Sequence, residues 1–463
     1  MTNLQNVYTT SATQTIAIIP LTSKELKDWL GTQDKQVANW VKSSCFTAKS
    51  GTICFMPKGN GKLAAVLLGI KDLNDFWAFG ALPQELPTGN YFIKAADWKH
   101  EQLEKAAIAW GLGAYQFAAY KKHKNLAAKL KLTPAMNPEY VKSMVTATFL
   151  VRDLINTPAE HLTPQKLGIA VAKIGSQFHA KVKQTFGAKL KRDYPAVYAI
   201  GKSSHNLPRL IELRWGKAKD PKITLVGKGV CFDSGGLNLK PPASMMHMKK
   251  DMAGAATALG VAKMIMEANL PVNLHLIIPA VENVVSSHSY KMGDIVQTRK
   301  KMTVEITNTD AEGRMILADA LTLASESKPK LIIDFATLTG AATVALGAEI
   351  PALFSNNEKI AHKILEVATK EKEPMWRMPL YPPYREMLDS KVADIKNSAS
   401  GSHGGAITAA LFLKEFVAPN IPWIHLDIES MNYKTKPGRP EGGEALSLRT
   451  VFRFIKEILN SKF

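Results

Sequence analysis

Seven charged side chains stand where solvation alone does not explain them. Lys228 and Asp233 lie in the glycine-rich stretch Val226-Gly227-Lys228-Gly229-Val230-Cys231-Phe232-Asp233-Ser234-Gly235-Gly236, and Lys240 follows it. Asp251 immediately precedes an Ala/Gly-rich run, Met252 to Ala268. Asp310, Glu312 and Arg314 share the segment Asn308-Thr309-Asp310-Ala311-Glu312-Gly313-Arg314. Carboxylates drawn from three separate loops suit a dinuclear metal centre. Two divalent ions about 3.5–4 Å apart can share a bridging hydroxide and clamp both the attacking and the leaving oxygen. Without metal, such carboxylates repel and raise one another's pKa. Residues two apart share a face in extended chain, so the sequence predicts Asp310, Glu312 and Arg314 aimed alike.

Each residue alone has an ordinary role. Asp251 reads as a helix N-cap, Asp310 and Glu312 as a turn and a capping carboxylate, and Lys228 as a surface lysine. The set is what points to chemistry. Gly227-x-Gly229 after a strand resembles a dinucleotide loop, but the third glycine is out of place. The chain has no GxxxxGK[ST], HExxH or GxSxG segment. Its histidines lack metal-ligand spacing, and His275 and His425, inside apolar runs, read as core residues.

The elements that must position these residues are alternating strands and helices. In the first part, Thr15 to Leu21, Ile53 to Met56, Leu63 to Ile70 and Tyr91 to Ala95 read as strands. Ser23 to Val41, capped by Ser23, and Glu101 to Tyr120 read as helices. Asn137 and Pro138 open a helix to Ile155. The second part offers strands at Ala196 to Ile200, Leu210 to Trp215, Ile223 to Val226, Asn273 to Ala280, Leu331 to Ala336 and Trp423 to Ile428. Several are continuous apolar runs, as in strands covered on both faces. Helices are expected at Met252 to Ala268, Gly313 to Ser325, Ala406 to Val417 and Leu446 to Leu459. The fold class is α/β. A smaller N-terminal α/β domain (1–135) is joined by an interdomain helix (136–158) to a larger C-terminal catalytic domain (159–463), with a mixed central sheet covered by helices.

The whole chain sets bounds. Its 463 residues, 46% apolar and 21% charged, suit a soluble globular protein with a sizeable core. No apolar run reaches membrane-helix length, and the polar N-terminus predicts no secretory leader. Three cysteines form no disulfide framework, which places the chain in a reducing cytoplasm. The formal charge of +19 comes from 59 basic and 40 acidic side chains. It concentrates in Lys166 to Lys222, with smaller clusters at Lys121-Lys122-His123-Lys124 and Arg299-Lys300-Lys301. A basic surface can attract nucleic acid, but no nucleic-acid motif accompanies it.

At this point the segment Asn308 to Arg314 resembles the signature of the leucyl aminopeptidase (cytosol aminopeptidase) family. The glycine-rich stretch, Lys249-Lys250-Asp251-Met252, Asp334-Phe335-Ala336-Thr337-Leu338-Thr339-Gly340-Ala341 and Asn156-Thr157-Pro158 are similar too, and together they span Asn156 to the C-terminus. The resemblance implies a metallo-exopeptidase acting on peptides, with Leu or other apolar first residues preferred. It implies two divalent metal ions, Zn or Mn with Mg as an alternative. Asp233 and Glu312 would bridge them, Lys228 and Asp251 would complete one site, and Asp310 the other. Lys240 would stabilise the oxyanion, and Arg314 would hold a bicarbonate acting as general base. Met248, Thr337 and Leu338 would bind substrate. A homohexamer is implied as well. Met315, where the family usually has Leu, and His247 are departures outside this chemistry. The alternatives are a DNA-binding regulator on the same scaffold and a dinuclear phosphoesterase.

Overall fold

The computed structural model describes residues 4–122, 126–401 and 403–460. The chain divides into two compact units, Met1–Phe149 with Tyr433–Glu441, and Leu150–Asn432 with Gly442–Phe463. The helix expected between domains runs Pro138–Asn156. It has no separate status, because the division falls within it.

The first unit holds a six-stranded sheet. Ile16–Leu21 lies at its centre, parallel to Leu63–Gly69 on one side and to Gly89–Ile93 on the other. The helix expected over Ser23 to Val41 is two helices, Ser23–Gly31 and Lys35–Ser43. Thr22, not Ser23, caps the first, in a reciprocal box with Glu25. Asp34 caps the second through Val37 N, which is where a continuous amphipathic pattern hides a break. The helix expected to reach Tyr120 is His100–Gly113. At its end, a side chain on Gly113 would meet the Gly80 carbonyl at 1.8 Å. The basic cluster from Lys121 lies partly outside the described residues.

The second unit is built on a nine-stranded mixed sheet. Its middle is parallel: Trp423–Asp427 pairs Leu331–Ala336, which pairs Lys222–Gly227, which pairs Asn273–Asn283. Antiparallel strands flank it, Ala352–Ser355 on one side and Arg209–Trp215 and Lys181–Phe186 on the other. The parallel strands are buried along nearly their whole length, which explains their unbroken apolar sequence. Helices Ala253–Glu267 and Glu312–Glu326 pack on this sheet and are themselves buried almost throughout.

One expected strand is a helix. Ala196 to Ile200 belongs to Pro195–Gly201. A five-residue apolar run fits either element. Pro195 presets the helical φ at the first position. The buried Asp319 carboxylate then accepts from Ala196 N at 2.8 Å and Val197 N at 3.2 Å, satisfying donors the helix leaves open. His275 and His425 are core residues, held by Glu212 at 3.1 Å and Asp334 at 2.6 Å. Among the described residues, no helix is long and apolar enough to cross a membrane.

Candidate metal centre

The carboxyl ends of the parallel strands converge on one place, as ligand sites in open α/β sheets do. Lys228 follows Lys222–Gly227, Thr337 follows Leu331–Ala336, Asp427 ends Trp423–Asp427, and Asn283 ends the strand beside them. Asp251 lies in the short 3-10 segment Met248–Met252 that leads into Ala253–Glu267. Its side chain caps no helix, so the ordinary reading of this residue fails.

Asp233, Asp310 and Glu312 each bring an oxygen within 4.8 Å of the others. Their grouping does not come from extended chain. Asp310 sits in a turn held by its own N–H to Asn308 Oδ1 at 2.8 Å. Glu312 is the first residue of its helix, where a carboxylate suits the positive dipole end. Arg314 is two residues further along that helix, and its Nη1 donates to the Asn397 carbonyl at 2.8 Å.

Two ammonium groups lie among the four carboxylates. Lys228 Nζ is 2.8 Å from Asp251 Oδ1 and 3.0 Å from Glu312 Oε1. Lys240 Nζ is 2.9 Å from Asp233 Oδ2 and 2.5 Å from Asp310 Oδ1. Burial alone would lower both lysines. Around Lys228 the charges of Asp251, Glu312 and Asp233 outweigh it, and around Lys240 those of Asp233, Glu312 and Asp310, so both are raised. The carboxylates remain in excess. Burial, with repulsion from Asp233, pushes Glu312 up to about 8 and Asp310 to about 7. Burial pushes Asp251 up to about 6 against the pull of Lys228.

The oxygens are used unevenly. Asp233 Oδ1 accepts from Gly235 N and from Asn283 Nδ2, each at 2.8 Å. Asp251 Oδ1 accepts from Lys228 and from Thr337 Oγ1 at 2.7 Å. Asp251 Oδ2 and Glu312 Oε2 are buried with no hydrogen-bond partner among the described residues. Unpartnered buried carboxylate oxygens are costly, and a divalent cation would satisfy them. The residues present therefore fit the metals that the sequence implies. Arg314 Nε is likewise buried without a partner among the described residues, and burial lowers this guanidinium to about 10 despite Glu312 nearby. That is an anion-accepting group.

Several residues of the centre escape sequence reading. Thr309 Oγ1 donates to the Gly235 carbonyl at 2.7 Å and accepts from Asn238 N at 2.7 Å, which ties two ligand loops together. Asn283 Nδ2 also donates to the Thr309 carbonyl at 3.1 Å, as does the buried Tyr290 hydroxyl. Asp427 accepts from Leu338 N at 3.0 Å and Thr339 Oγ1 at 2.6 Å, shaping the loop after Thr337. A polar residue closing an apolar strand was the one available signal for Asn283 and Asp427. Of the expected substrate residues, Met248 and Leu338 are half-buried, and Leu338 packs partly on the core. The hydroxyl of Thr337 is turned onto Asp251.

Comparisons with known proteins agree with this fold. Residues 149–452 match the model of the cytosol aminopeptidase family catalytic domain, and residues 16–133 match the M17 aminopeptidase N-terminal domain. A probable cytosol aminopeptidase of Rhodopirellula baltica is 42% identical over 66% of this chain, and one of Chlamydia abortus 44% identical over 69%. These alignments span 61% and 65% of those relatives' own lengths. The crystal structure of a cytosol aminopeptidase from Coxiella burnetii superposes with TM-score 0.95 at 50% identity, covering 97% of this chain and 99% of that one. The bottromycin maturation enzyme BotP in complex with Mn gives TM-score 0.87 at 30% identity, covering 96% and 99%. On this sequence, fold and site, the chain belongs to the cytosol aminopeptidase family.

Proposed function

We propose that this protein is a metal-dependent aminopeptidase, releasing the N-terminal residue of peptides with preference for Leu or other apolar side chains. The observation that carries this is the convergence of Lys228, Asp233, Asp251, Asp310 and Glu312, with buried carboxylate oxygens left for cations. Asp233 and Glu312 would be shared between two ions, Lys228 and Asp251 would belong to one, and Asp310 to the other. Zn or Mn, with Mg as the alternative, would polarise the scissile carbonyl and lower the pKa of the attacking water. The Mn complex of a solved relative supports Mn as a fitting ion.

The chain's own groups do the rest. Lys240 stays an ammonium and stabilises the oxyanion that develops on the carbonyl. For this it must leave Asp233 and Asp310, which cations would hold in its place. Arg314, whose Nε has no partner among the described residues, would hold a bicarbonate, and that anion would supply the general base toward the attacking water. Met248 and Leu338 border the bound first residue, and Thr337 stands next to Leu338 with its hydroxyl turned onto Asp251. The enzyme acts in the cytoplasm as a homohexamer. No observation above favours the nucleic-acid-binding alternative.

The test is hydrolysis of Leu-p-nitroanilide with Mn or Zn, beside Glu312→Ala and Lys240→Ala, with a phosphodiester substrate as control. Activity that a chelator removes and both substitutions abolish is expected. Full activity in the variants, or phosphodiester turnover alone, would refute the assignment.

A further inference from the structure

We propose that Thr337 is a positioning residue. Its hydroxyl and carbonyl fix the spacing of Lys228 and Asp251 and select the Asp251 oxygen offered to a cation. This rests on the metal-dependent reading above and goes beyond it. Thr337 directly follows the strand Leu331–Ala336, so its backbone is anchored by the sheet. Oγ1 donates to Asp251 Oδ1 at 2.7 Å and approaches the Asp251 main-chain oxygen at 3.1 Å. The Thr337 carbonyl accepts from Lys228 Nζ at 2.7 Å. Lys228 Nζ in turn donates to Asp251 Oδ1 at 2.8 Å. The three residues therefore close a ring, with Thr337 touching both of the others.

The ring has a consequence for Asp251. Oδ1 accepts two hydrogen bonds, while the buried Oδ2 accepts none among the described residues. A carboxylate has two equivalent oxygens until its neighbours distinguish them. Here the hydroxyl and the ammonium do so. Threonine is suited to the task, because its β-branch restricts χ1 and so fixes where the hydroxyl points. A hydroxyl committed to Asp251 is also not available to hydrogen-bond a substrate.

Thr337→Val keeps the shape and removes the donor, and Thr337→Ser keeps the donor. Each full-length protein is stripped of metal and titrated with Mn(II) by calorimetry. Each is also loaded with Co(II) for its visible absorption spectrum, and assayed on Leu- and Ala-p-nitroanilide. Valine is expected to weaken Mn(II) binding at the site that Lys228 and Asp251 would complete by about 10- to 100-fold, as loss of groups orienting a ligand does. It should also move the Co(II) bands and leave the Leu-to-Ala preference unchanged. Serine should recover most of the affinity. Wild-type affinity and spectrum in Thr337→Val would overturn the proposal. So would a changed Leu-to-Ala preference at unchanged affinity, which would make Thr337 a pocket residue. If valine prevents folding, Thr337→Ala set against Thr337→Ser gives the same contrast. A wild-type protein that binds Mn(II) but hydrolyses neither substrate would refute the aminopeptidase reading, while the titrations still decide the role of Thr337.

Discussion

Gly313→Ala sets two physical effects against each other at the centre of the site. Gly313 is the second residue of the helix Glu312–Glu326. In a helix, Ala is favoured over Gly by up to about 1 kcal/mol, so on propensity alone the variant gains stability. The added methyl, however, would lie 2.5 Å from Lys228 Cε, 2.8 Å from Nζ and 2.9 Å from Cδ. Carbon atoms rest about 3.5–4.0 Å apart, so the lysine must move by about 1 Å. A free lysine would do so at little cost. This one is buried and held by Asp251 at 2.8 Å, by the Thr337 carbonyl at 2.7 Å and by Glu312 at 3.0 Å. Charged hydrogen bonds are worth about 1.5–3 kcal/mol each, so loss of even one outweighs the helix gain. The expected result is a lower melting temperature for the metal-free protein and Mn(II) binding weakened at least about 10-fold, since a ligand displaced this far no longer meets the ion. Calorimetric Mn(II) titration and thermal melts read both. Gly31→Ala is the control, being helical with nothing within 4 Å, and should hold or raise the melting temperature. A Gly313→Ala protein that melts higher than wild type and binds Mn(II) as tightly would refute the idea that Lys228 is fixed in place for metal.

Four further outcomes follow from the structure. Lys240→Ala removes an ammonium that competes for Asp233 and Asp310, so Mn(II) affinity should hold or rise while kcat falls about 10²–10³-fold; a parallel loss of affinity would contradict this. Metal uptake at pH 7 should release about two to three protons, because Lys228, most of Glu312 near 8 and half of Asp310 near 7 are protonated beforehand. Calorimetry in buffers of different ionisation enthalpy measures that number, and near-zero release would refute it. Because these carboxylates have folded pKa values above their unfolded ones, their contribution is favourable below about pH 4 and is lost as pH rises through about 6 to 8, so the metal-free protein should melt lower at pH 8 than at pH 5. Asp319→Ala strands the buried N–H groups of Ala196 and Val197 and the part-buried one of Arg299, and should lower the melting temperature of metal-loaded protein while leaving Mn(II) affinity intact; weakened binding would show that its role extends to the metal centre.

Much of this was legible in the chain. Continuous apolar runs marked the parallel strands because burial on both faces demands them, and Asp251, Asp310 and Glu312 stood out because charge beside such runs is costly. What failed had a physical reason each time. Pro195–Gly201 read as a strand because its cap, Asp319, is far away in sequence. The break at Thr32 to Asp34 was masked by apolar residues that keep the helical period on both sides. The shared aim of Asp310 and Glu312 was expected from extended chain, whereas it arises from a turn followed by a helix start. Tyr290 and Thr309 could not be found, and Asn283 had only its place at the end of an apolar strand to mark it, since each acts through a partner that only the fold brings near.

The glycine-rich stretch has more structure than a loop, and that structure explains how Asp233 is aimed. Gly227 and Gly254 are there for closeness. A side chain on Gly227 would meet Ala255 Cα at 2.5 Å, and one on Gly254 would meet the Phe335 carbonyl at 2.1 Å. Their absence lets the helix Ala253–Glu267 begin against the strands, so that Asp251 reaches Lys228. Gly229–Asp233 is itself a strand, pairing Gly229 with Ala280 and Val230 with Val281. Continued in register, Asp233 would face Val284. Instead it pairs with Asn283, across an irregularity between Val230 and Asp233. A slip of one residue in a strand turns a side chain to the opposite face, and bulges re-aim side chains in this way beside functional sites. The slip sets Asp233 opposite Asn283, whose amide takes Oδ1 and leaves Oδ2 to Lys240. Gly235 and Gly236, at φ of +88° and +65°, then turn the chain so that the Lys240 N–H closes onto the Ser234 carbonyl at 2.9 Å. The position of Lys240 over the carboxylates thus depends on a bulge and two left-handed glycines acting in sequence.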